Sequence, residues 1–170
     1  MTEFITAREE DFPEILQMIG EIYEELPNKE WFSLDEEEVL VRYMKEEGFA
    51  LKALCDEALA GVFIVRTHHL GEENLGYDLG FSSQQRERSA HMEIAMVKKQ
   101  WRGQGLQQQM MRECEGILKE QGYGYLLGTA HPENQASVKS FLKLGYQHKK
   151  TKEKYGGLLR GIFCKELIES

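Results

Sequence analysis

Apolar residues in the first 48 positions recur every three or four residues, which is the spacing of one face of an α-helix. One such stretch follows Asp11 and Pro13, a pair typical of a helix start, and its apolar face consists of Phe12, Ile15, Leu16, Ile19, Ile22, Tyr23 and Leu26. A second stretch follows the capping-box pattern of Ser33 and Glu36 and ends at Gly48. The pattern predicts two helices that follow a short strand at residues 4–7.

From residue 49 the pattern changes to short apolar runs bounded by turn residues, which is typical of strands. The predicted strands are residues 49–55, 58–67, 90–97, 123–130, 146–151 and 158–167, and the predicted helices among them are residues 103–121 and 134–144. Helices interleaved with strands predict a single α/β or α+β domain over residues 1–170, with helices on the faces of one sheet. Residues 90–130 predict a right-handed crossover that sets two strands parallel.

The composition excludes several classes of protein. The 170 residues include 29 acidic and 21 basic ones, and a net charge of −8 argues against a nucleic-acid-binding protein. No apolar run approaches the ~20 residues of a membrane-spanning helix, and the N-terminus lacks a signal-peptide pattern, so we expect a cytoplasmic protein with no membrane partner. Cys55, Cys114 and Cys164 are far apart among apolar residues, which predicts reduced core thiols and no metal site.

The most informative segment is residues 97–106, where a predicted strand ends and an amphipathic helix begins. Gly103 and Gly105 allow the backbone there to approach a ligand with no Cβ atom in between. The first amides of a helix have no partner within the helix and carry partial positive charge, so this turn is suited to an anion such as a pyrophosphate. An ordinary strand-to-helix turn that uses glycine for its geometry explains the two residues equally well.

Two motifs give the chain a family resemblance. The spacing Gln100-x-x-Gly103-x-Gly105 resembles motif A of the GCN5-related N-acetyltransferases (GNAT). Residues 131–146 resemble motif B of that family, in which an Asn opens a helix that ends in Leu, Gly and an aromatic residue, here Asn134, Leu144, Gly145 and Tyr146. The resemblance extends over nearly the whole chain, residues 3–167.

The resemblance implies a fold, a cofactor and its contacts. The fold is a mixed sheet of six to seven strands flanked by helices, whose central parallel strands splay apart at Val97. Acetyl-CoA lies in that gap as the acyl donor, and no metal is implied. Its pantetheine arm is assigned to Ile94, Ala95, Met96 and Val97, its pyrophosphate to Arg102, Gly103, Gln104, Gly105, Leu106 and Gln107, and further contacts to Asn134, Ser137 and Phe141. The Asn134 side chain either caps its helix or contacts the cofactor.

In this family an acceptor amine attacks the thioester directly, which requires a base because an ammonium ion has no lone pair. His91 and Glu93 are the candidates, since alternate residues of a strand share one face, here with Ala95 and Val97. Many members have a Tyr proton donor where this chain has Phe141. That departure leaves open a second interpretation, a catalytically weak acyl-CoA-binding module of the same fold. A third is nucleotide binding by the glycine turn.

The acceptor is predicted to be a small-molecule or peptide amine, which no motif identifies further. Acidic residues of the first two helices suit a cationic amine, although solvated helix faces are the simpler explanation for Glu24, Glu25, Asp35, Glu36, Glu37 and Glu38. The segment of residues 69–89 contains several apolar residues, so part of it is expected to pack down as a wall or lid of the acceptor site, with Tyr77 as the contact. The alternative is that this segment packs against its own chain or against a homodimer partner.

Overall fold

The computed structural model describes residues 1–68 and 71–167. Its strands are β1 (Thr2–Thr6), β2 (Gly48–Cys55), β3 (Ala58–Arg66), β4 (Ser89–Val97), β5 (Tyr125–Ala130), β6 (Gln147–Lys154) and β7 (Leu158–Glu166). Its α-helices are α1 (Phe12–Glu25), α2 (Glu37–Lys45), α3 (Ser83–Glu87), α4 (Leu106–Glu120) and α5 (Gln135–Lys143). The elements follow the predicted order, except that the short helix α3 lies in the segment expected to be a loop.

The strands form one mixed sheet in the order β1-β2-β3-β4-β5-β7-β6. β4 and β5 are parallel, as the crossover predicted, and the other neighbours are antiparallel. The predicted mixed sheet flanked by helices is therefore confirmed. The β4–β5 pairing covers only residues 89–91 against residues 125–127, so the two strands separate directly after His91 and not at Val97.

Different helices cover the two faces of the sheet. On one face, α1 and α2 pack against Ile64, Ile94 and Met96. On the other face, α4 and Phe141 of α5 pack in one cluster with Phe63. Each fully buried Leu, Ile or Met side chain stabilises a fold by about 1.5–3 kcal/mol relative to an exposed one. The two helix layers therefore hold β4 in place from both sides.

The helix that follows β4 begins later than predicted. α4 starts at Leu106 and not at residue 103, because Gly103 and Gly105 have φ angles of 79° and 76°. These angles lie in the left-handed region, which favours glycine and does not continue an α-helix. The two glycines therefore belong to the turn itself.

The caps predicted for the first two helices do not form. Glu36 is the N-cap of α2, so Ser33 does not cap that helix. Asp11 precedes α1, but its carboxylate accepts bonds of 2.8 Å from the Lys52 ammonium and 2.8 Å from the Arg8 backbone N–H. The apolar faces of these helices, and not their caps, determine where they lie.

Other expectations concern thiols, membrane helices and metals. Cys55, Cys114 and Cys164 are buried free thiols, as predicted. Within residues 1–68 and 71–167, no helix combines the length and the apolar character that crossing a membrane requires. In the same two ranges, no group of three or more His, Cys, Asp or Glu side chains is placed to hold a metal ion.

Candidate active site

An opening in the sheet lies where β4 and β5 separate. Beyond His91, β4 continues beside β3 while β5 continues beside β7. Gly128 of β5 approaches α5 so closely that a Cβ atom there would lie 2.5 Å from the Phe141 ring. The opening is lined by residues that include Met92, Glu93, Ala95, Thr129, Ala130, Asn134, Ser137 and Phe141. It is a narrow slot, and on one side it is bordered by the part of β4 that does not pair with β5.

The turn between β4 and α4 lines an open groove of about 530 Å³ that adjoins the slot. Gly103 has no atom within 4 Å of the place where its Cβ would lie, and Gly105 is an N-cap without a capping side chain. The groove brings together most of the residues assigned to the cofactor, namely Ala95, Met96, Val97, Arg102, Gly103, Gly105, Leu106, Gln107, Asn134 and Ser137. The structure thus places the two motifs on one surface.

Three of the assigned residues have additional contacts. The Ile94 side chain packs beneath α1 and α2, and Ile94 is not among the described residues that line the slot or the groove. Gln104 is exposed, and its carbonyl accepts a bond of 3.4 Å from the Gln109 side chain. The Arg102 Nε donates to the Val97 carbonyl at 2.9 Å, which folds the guanidinium back onto the end of β4.

Asn134 and Phe141 lie on α5 or at its start. The Asn134 Oδ1 accepts a bond of 3.5 Å from the Ser137 backbone N–H, so the capping alternative is present in the structure. Phe141 stacks on Phe163 with ring centroids 4.9 Å apart. Its ring has no proton to donate at the slot.

A β-bulge at Glu93 changes the orientation predicted for β4. The pairing of β4 with β3 skips Glu93, and its carboxylate lies 3.6 Å from the Arg66 guanidinium. His91 is paired with Arg66 in the sheet. Ala95 and Val97 pack on the opposite face, beneath α4. The prediction that His91 and Glu93 share a face with Ala95 and Val97 is therefore wrong, because the bulge reverses the alternation of side chains.

A second cavity, of about 110 Å³, lies on the other side of Glu93. We call it the polar cavity, and its charged residues are Asp35, Arg66, Glu73, Glu93 and Arg160. Its other lining residues include Trp31, Phe32, Tyr43, Leu75, His91, Ile94, Thr129 and Tyr155. Glu93 lines both the slot and the polar cavity.

Arg66 organises the acidic groups of the polar cavity. Its guanidinium contacts Glu47 at 2.7 Å, Glu73 at 2.9 Å and Glu93 at 3.6 Å, and its Cζ lies 4.0 Å from the centroid of the Tyr43 ring. The Arg66 and Glu47 side chains are each 5% exposed. Removing one partner of a buried ion pair costs about 3–5 kcal/mol, because the other charge remains uncompensated. The buried Arg66–Glu47 pair therefore holds Arg66 in place beside Glu93.

The electrostatic environment of Glu93 suits a base. Burial raises the pKa of its carboxyl to about 7; the Arg66 charge opposes this rise, and the charges of Asp35 and Glu73 add to it. The side chain keeps 22% of its surface exposed, so a ligand can reach it. A carboxyl that titrates near neutral pH can accept a proton and release it again.

His91 lies in a different environment. Its Nε2 accepts a bond of 2.9 Å from the Leu75 backbone N–H. Burial lowers the pKa of His91 to about 3, and the charges of Arg66 and Lys154 act in the same direction. The imidazole is therefore neutral at neutral pH, and its Nε2 lone pair is already engaged.

The segment after β3 contributes to the polar cavity through other residues than the one predicted. Glu73 and Leu75 line the cavity, which agrees with a wall in this position. Tyr77 lines a separate surface pocket, is 55% exposed and stacks beneath the Arg86 guanidinium at 4.0 Å. The structure does not bring Tyr77 together with Glu93. Residues 69 and 70 of this segment lie outside the described residues.

Among the lining residues that sequence reasoning missed are Trp31, Tyr155 and Arg160. Arg160 is 3% exposed within the apolar strand β7, and a charged residue in such a strand is a signal that could have identified it. Tyr155 lies in the β6–β7 turn, where no pattern marks it. Its hydroxyl is within reach of the Thr129 side chain, and burial raises the pKa of Tyr155 to about 12.

Comparisons with known proteins agree with the motifs. Residues 8–146 match the model of the acetyltransferase (GNAT) family. The search of curated proteins gave no match. The fold is similar to that of the ribosomal-protein-S18-alanine N-acetyltransferase from Escherichia coli, with a TM-score of 0.73 and 14% identity over 100% of this chain and 96% of that chain.

Two further solved structures are similar over the whole chain. An acetyltransferase of the GNAT family from Streptococcus pneumoniae has a TM-score of 0.75 and 15% identity, over 98% of this chain and 100% of that chain. YncA from Salmonella typhimurium, determined with its cofactor acetyl-CoA, has a TM-score of 0.72 and 14% identity, over 100% of this chain and 96% of that chain. At these identities the likeness shows a shared fold.

Proposed function

The chain belongs to the acetyltransferase (GNAT) family, and on this premise we propose that it transfers the acetyl group of acetyl-CoA to the amine of an acceptor bound in the polar cavity. The observation that carries the proposal is the position of Glu93, which lines both the slot and the polar cavity. A base at that point lies between a donor in the slot and an acceptor in the cavity.

The groove and the slot fit acetyl-CoA. The positive φ angles of Gly103 and Gly105, and the open space beside them, make backbone amides accessible to a pyrophosphate. We assign the pyrophosphate to residues 102–107 and the pantetheine arm to the backbone of residues 94–97, which pairs with it as a sheet edge pairs with an added strand. Asn134 borders the same groove. Acetyl-CoA, when bound, supplies an activated thioester carbonyl.

Glu93 is assigned the role of general base. It accepts a proton from the acceptor ammonium group, directly or through one water molecule, and the nitrogen then has the lone pair that attack requires. Its pKa of about 7 means that a large fraction is ionised at neutral pH. His91 is neutral, and its Nε2 accepts the Leu75 N–H. We assign it the role of holding Leu75 in the wall of the polar cavity through this hydrogen bond.

The absence of a hydroxyl on Phe141 is compatible with turnover. A free thiol has a pKa of ~8.5, so a thiolate leaves without a strong proton donor. Phe141 nevertheless favours a second candidate function, the catalytically weak acyl-CoA-binding module. In both cases the cofactor site is the same. A small-molecule or peptide acceptor, a cytoplasmic location and a homodimer stay predictions.

Release of free coenzyme A thiol separates the two functions. We expect acetyl-CoA to raise the melting temperature, because a ligand that binds only the native state stabilises it. We also expect amines from a chemically varied panel to release thiol faster than a reaction without amine. A rise in melting temperature without thiol release from any amine would support the binding module, and no rise at all would contradict both functions.

A further inference from the structure

The polar cavity contains a buried cation, Arg160, which forms no salt bridge with a carboxylate of the described residues. We infer that the acceptor carries a carboxylate, which Arg160 binds while the acceptor amine faces Glu93. This inference rests on the proposed function. The substrate class is a small molecule that has an amine and a carboxylate, as α-amino acids and longer ω-amino acids do.

The contacts of Arg160 leave part of its guanidinium available. Its Nη1 donates to the Leu159 carbonyl at 2.8 Å, and its Nη2 donates to the Glu30 carbonyl at 2.8 Å. A guanidinium has five N–H donors in a planar fork that matches a carboxylate. Residue Glu30 is exposed, and its own carboxylate makes no ion pair with Arg160 in the described part of the chain. A ligand carboxylate would supply the missing counter-charge.

The second cation of the cavity is already occupied. Arg66 contacts Glu47, Glu73 and Glu93 within 4 Å, so it has little capacity for another carboxylate. Arg160 forms no salt bridge with these carboxylates in the described residues, and its Cζ lies 5.9 Å from the centroid of the Tyr155 ring. The cavity therefore matches the two charges of a zwitterion. The carboxylates around Arg66 suit its ammonium group, and Arg160, which has no carboxylate partner among the described residues, suits its carboxylate.

A purely cationic acceptor fits the cavity less well. A second ammonium group would lie near Arg160, and two like charges in a desolvated site repel each other. The acidic residues of the first two helices do not alter this argument, because most of them are exposed and do not line the cavity, as for Glu24, Glu25, Glu36, Glu37 and Glu38. Asp35 does line it, and its carboxylate accepts a bond of 3.1 Å from the Tyr43 hydroxyl.

The first test uses the unaltered protein. Amino acids and their carboxamides are compared as acceptors by thiol release, because each pair has the same side chain and differs in the carboxylate. A series of ω-amino acids varies the distance between the amine and the carboxylate. We expect the best carboxylate acceptor to have a kcat/KM about 100-fold above that of its carboxamide, as one charge-assisted pair provides. The amine of a carboxamide loses its proton more easily, so amine reactivity alone would give the opposite preference.

The second test removes the cation. In Arg160→Gln we expect kcat/KM for the carboxylate acceptor to fall by about 100-fold and that for the carboxamide to stay within about threefold. Arg160→Lys keeps the charge without the fork and should lie between the two proteins. Arg112→Gln, which removes an exposed arginine of α4, is the matched control and should leave both values unchanged.

The outcomes are distinguishable. Equal kcat/KM for acids and carboxamides in the unaltered protein would overturn the inference and leave the proposed function standing. An equal loss for both acceptors in Arg160→Gln would show that Arg160 only ties β7 to the Glu30 carbonyl, and would also overturn it. Thiol release from no amine would overturn the proposed function itself and this inference with it. If acetyl-CoA does not raise the melting temperature of Arg160→Gln, this variant does not fold correctly. The inference is then tested by the comparison of acids and carboxamides in the unaltered protein alone.

Discussion

The groove, which reaches Glu93 through the adjoining slot, and the polar cavity lie on either side of that residue, but the chain builds them in different ways. The groove comes largely from one run, residues 95–108, completed by residues of α5 and of the first helix region. The polar cavity takes side chains from the α1–α2 connection, β3, the segment after β3, β4 and the β6–β7 hairpin. One site depends on the conformation of a single turn, and the other depends on distant segments that meet.

This difference determines what each side can recognise. Backbone amides of a turn bind any pyrophosphate in the same way, whichever side chains surround them. Buried side chains such as Arg66 and Arg160 set a pattern of charge that one class of acceptor matches. The groove is therefore suited to a constant donor, and the polar cavity is suited to a particular acceptor.

The largest effect should come from placing a charge in the turn. In Gly105→Glu we expect acetyl-CoA to cause no rise in melting temperature and thiol release to be lost, because a carboxylate would occupy and repel the pyrophosphate position. Gly122→Glu is the matched control: Gly122 follows α4, has a φ of 90° and, like Gly103, has open space around its Cβ position. Both substitutions place a side chain at positive φ, which costs about 1–2 kcal/mol. A shift that persists in Gly105→Glu would contradict the pyrophosphate assignment, whereas a shift lost in both variants would indicate general destabilisation.

Much of the fold and of the groove could be predicted from the sequence. α1 and α4 have apolar residues at helical spacing. The turn between β4 and α4 has positive φ angles at positions 103 and 105, which favour glycine, so the two glycines in the sequence indicate the turn. The bulge at Glu93 was not predictable, since no glycine or proline marks it. The polar cavity could not be predicted for a related reason. Arg66 and Arg160 are far apart in the chain, neither belongs to a local motif, and only the order of strands in the sheet brings them to one cavity.

An intermediate effect should come from the residue between the two sites. In Glu93→Gln we expect kcat to fall by about 100-fold or more, since the amide cannot accept the proton. In the unaltered protein kcat/KM should rise with pH through about 7, because the carboxyl of Glu93 must lose its own proton before it can accept one, and its pKa is about 7. In the unaltered protein the rise should level off above about pH 7. This levelling-off should be absent from the pH profile of Glu93→Gln, because the variant depends on acceptor amine that has already lost its proton.

Glu73→Gln is the control for this profile. Glu73 also contacts Arg66, but its side chain is 64% exposed. The negative charge of Glu73 helps to raise the pKa of Glu93, so its removal should move the rise to slightly lower pH without abolishing it. If Glu93→Gln keeps the levelling-off and the rate, the base is another group and the proposed role of Glu93 is wrong.

The smallest effect should come from Asn134, whose side chain can both cap α5 and contact the cofactor. Its Oδ1 accepts the Ser137 N–H and caps the helix, while the residue lines the groove and has an amide NH₂ group to offer the cofactor. Asn134→Asp keeps an oxygen acceptor for the cap and removes the NH₂ donor. We expect the melting temperature without ligand to stay nearly unchanged, and acetyl-CoA binding to weaken by about five- to tenfold. Asn134→Ala removes both functions and should also cost about 1 kcal/mol of stability. Unchanged acetyl-CoA affinity in Asn134→Asp would show that Asn134 acts as a cap alone.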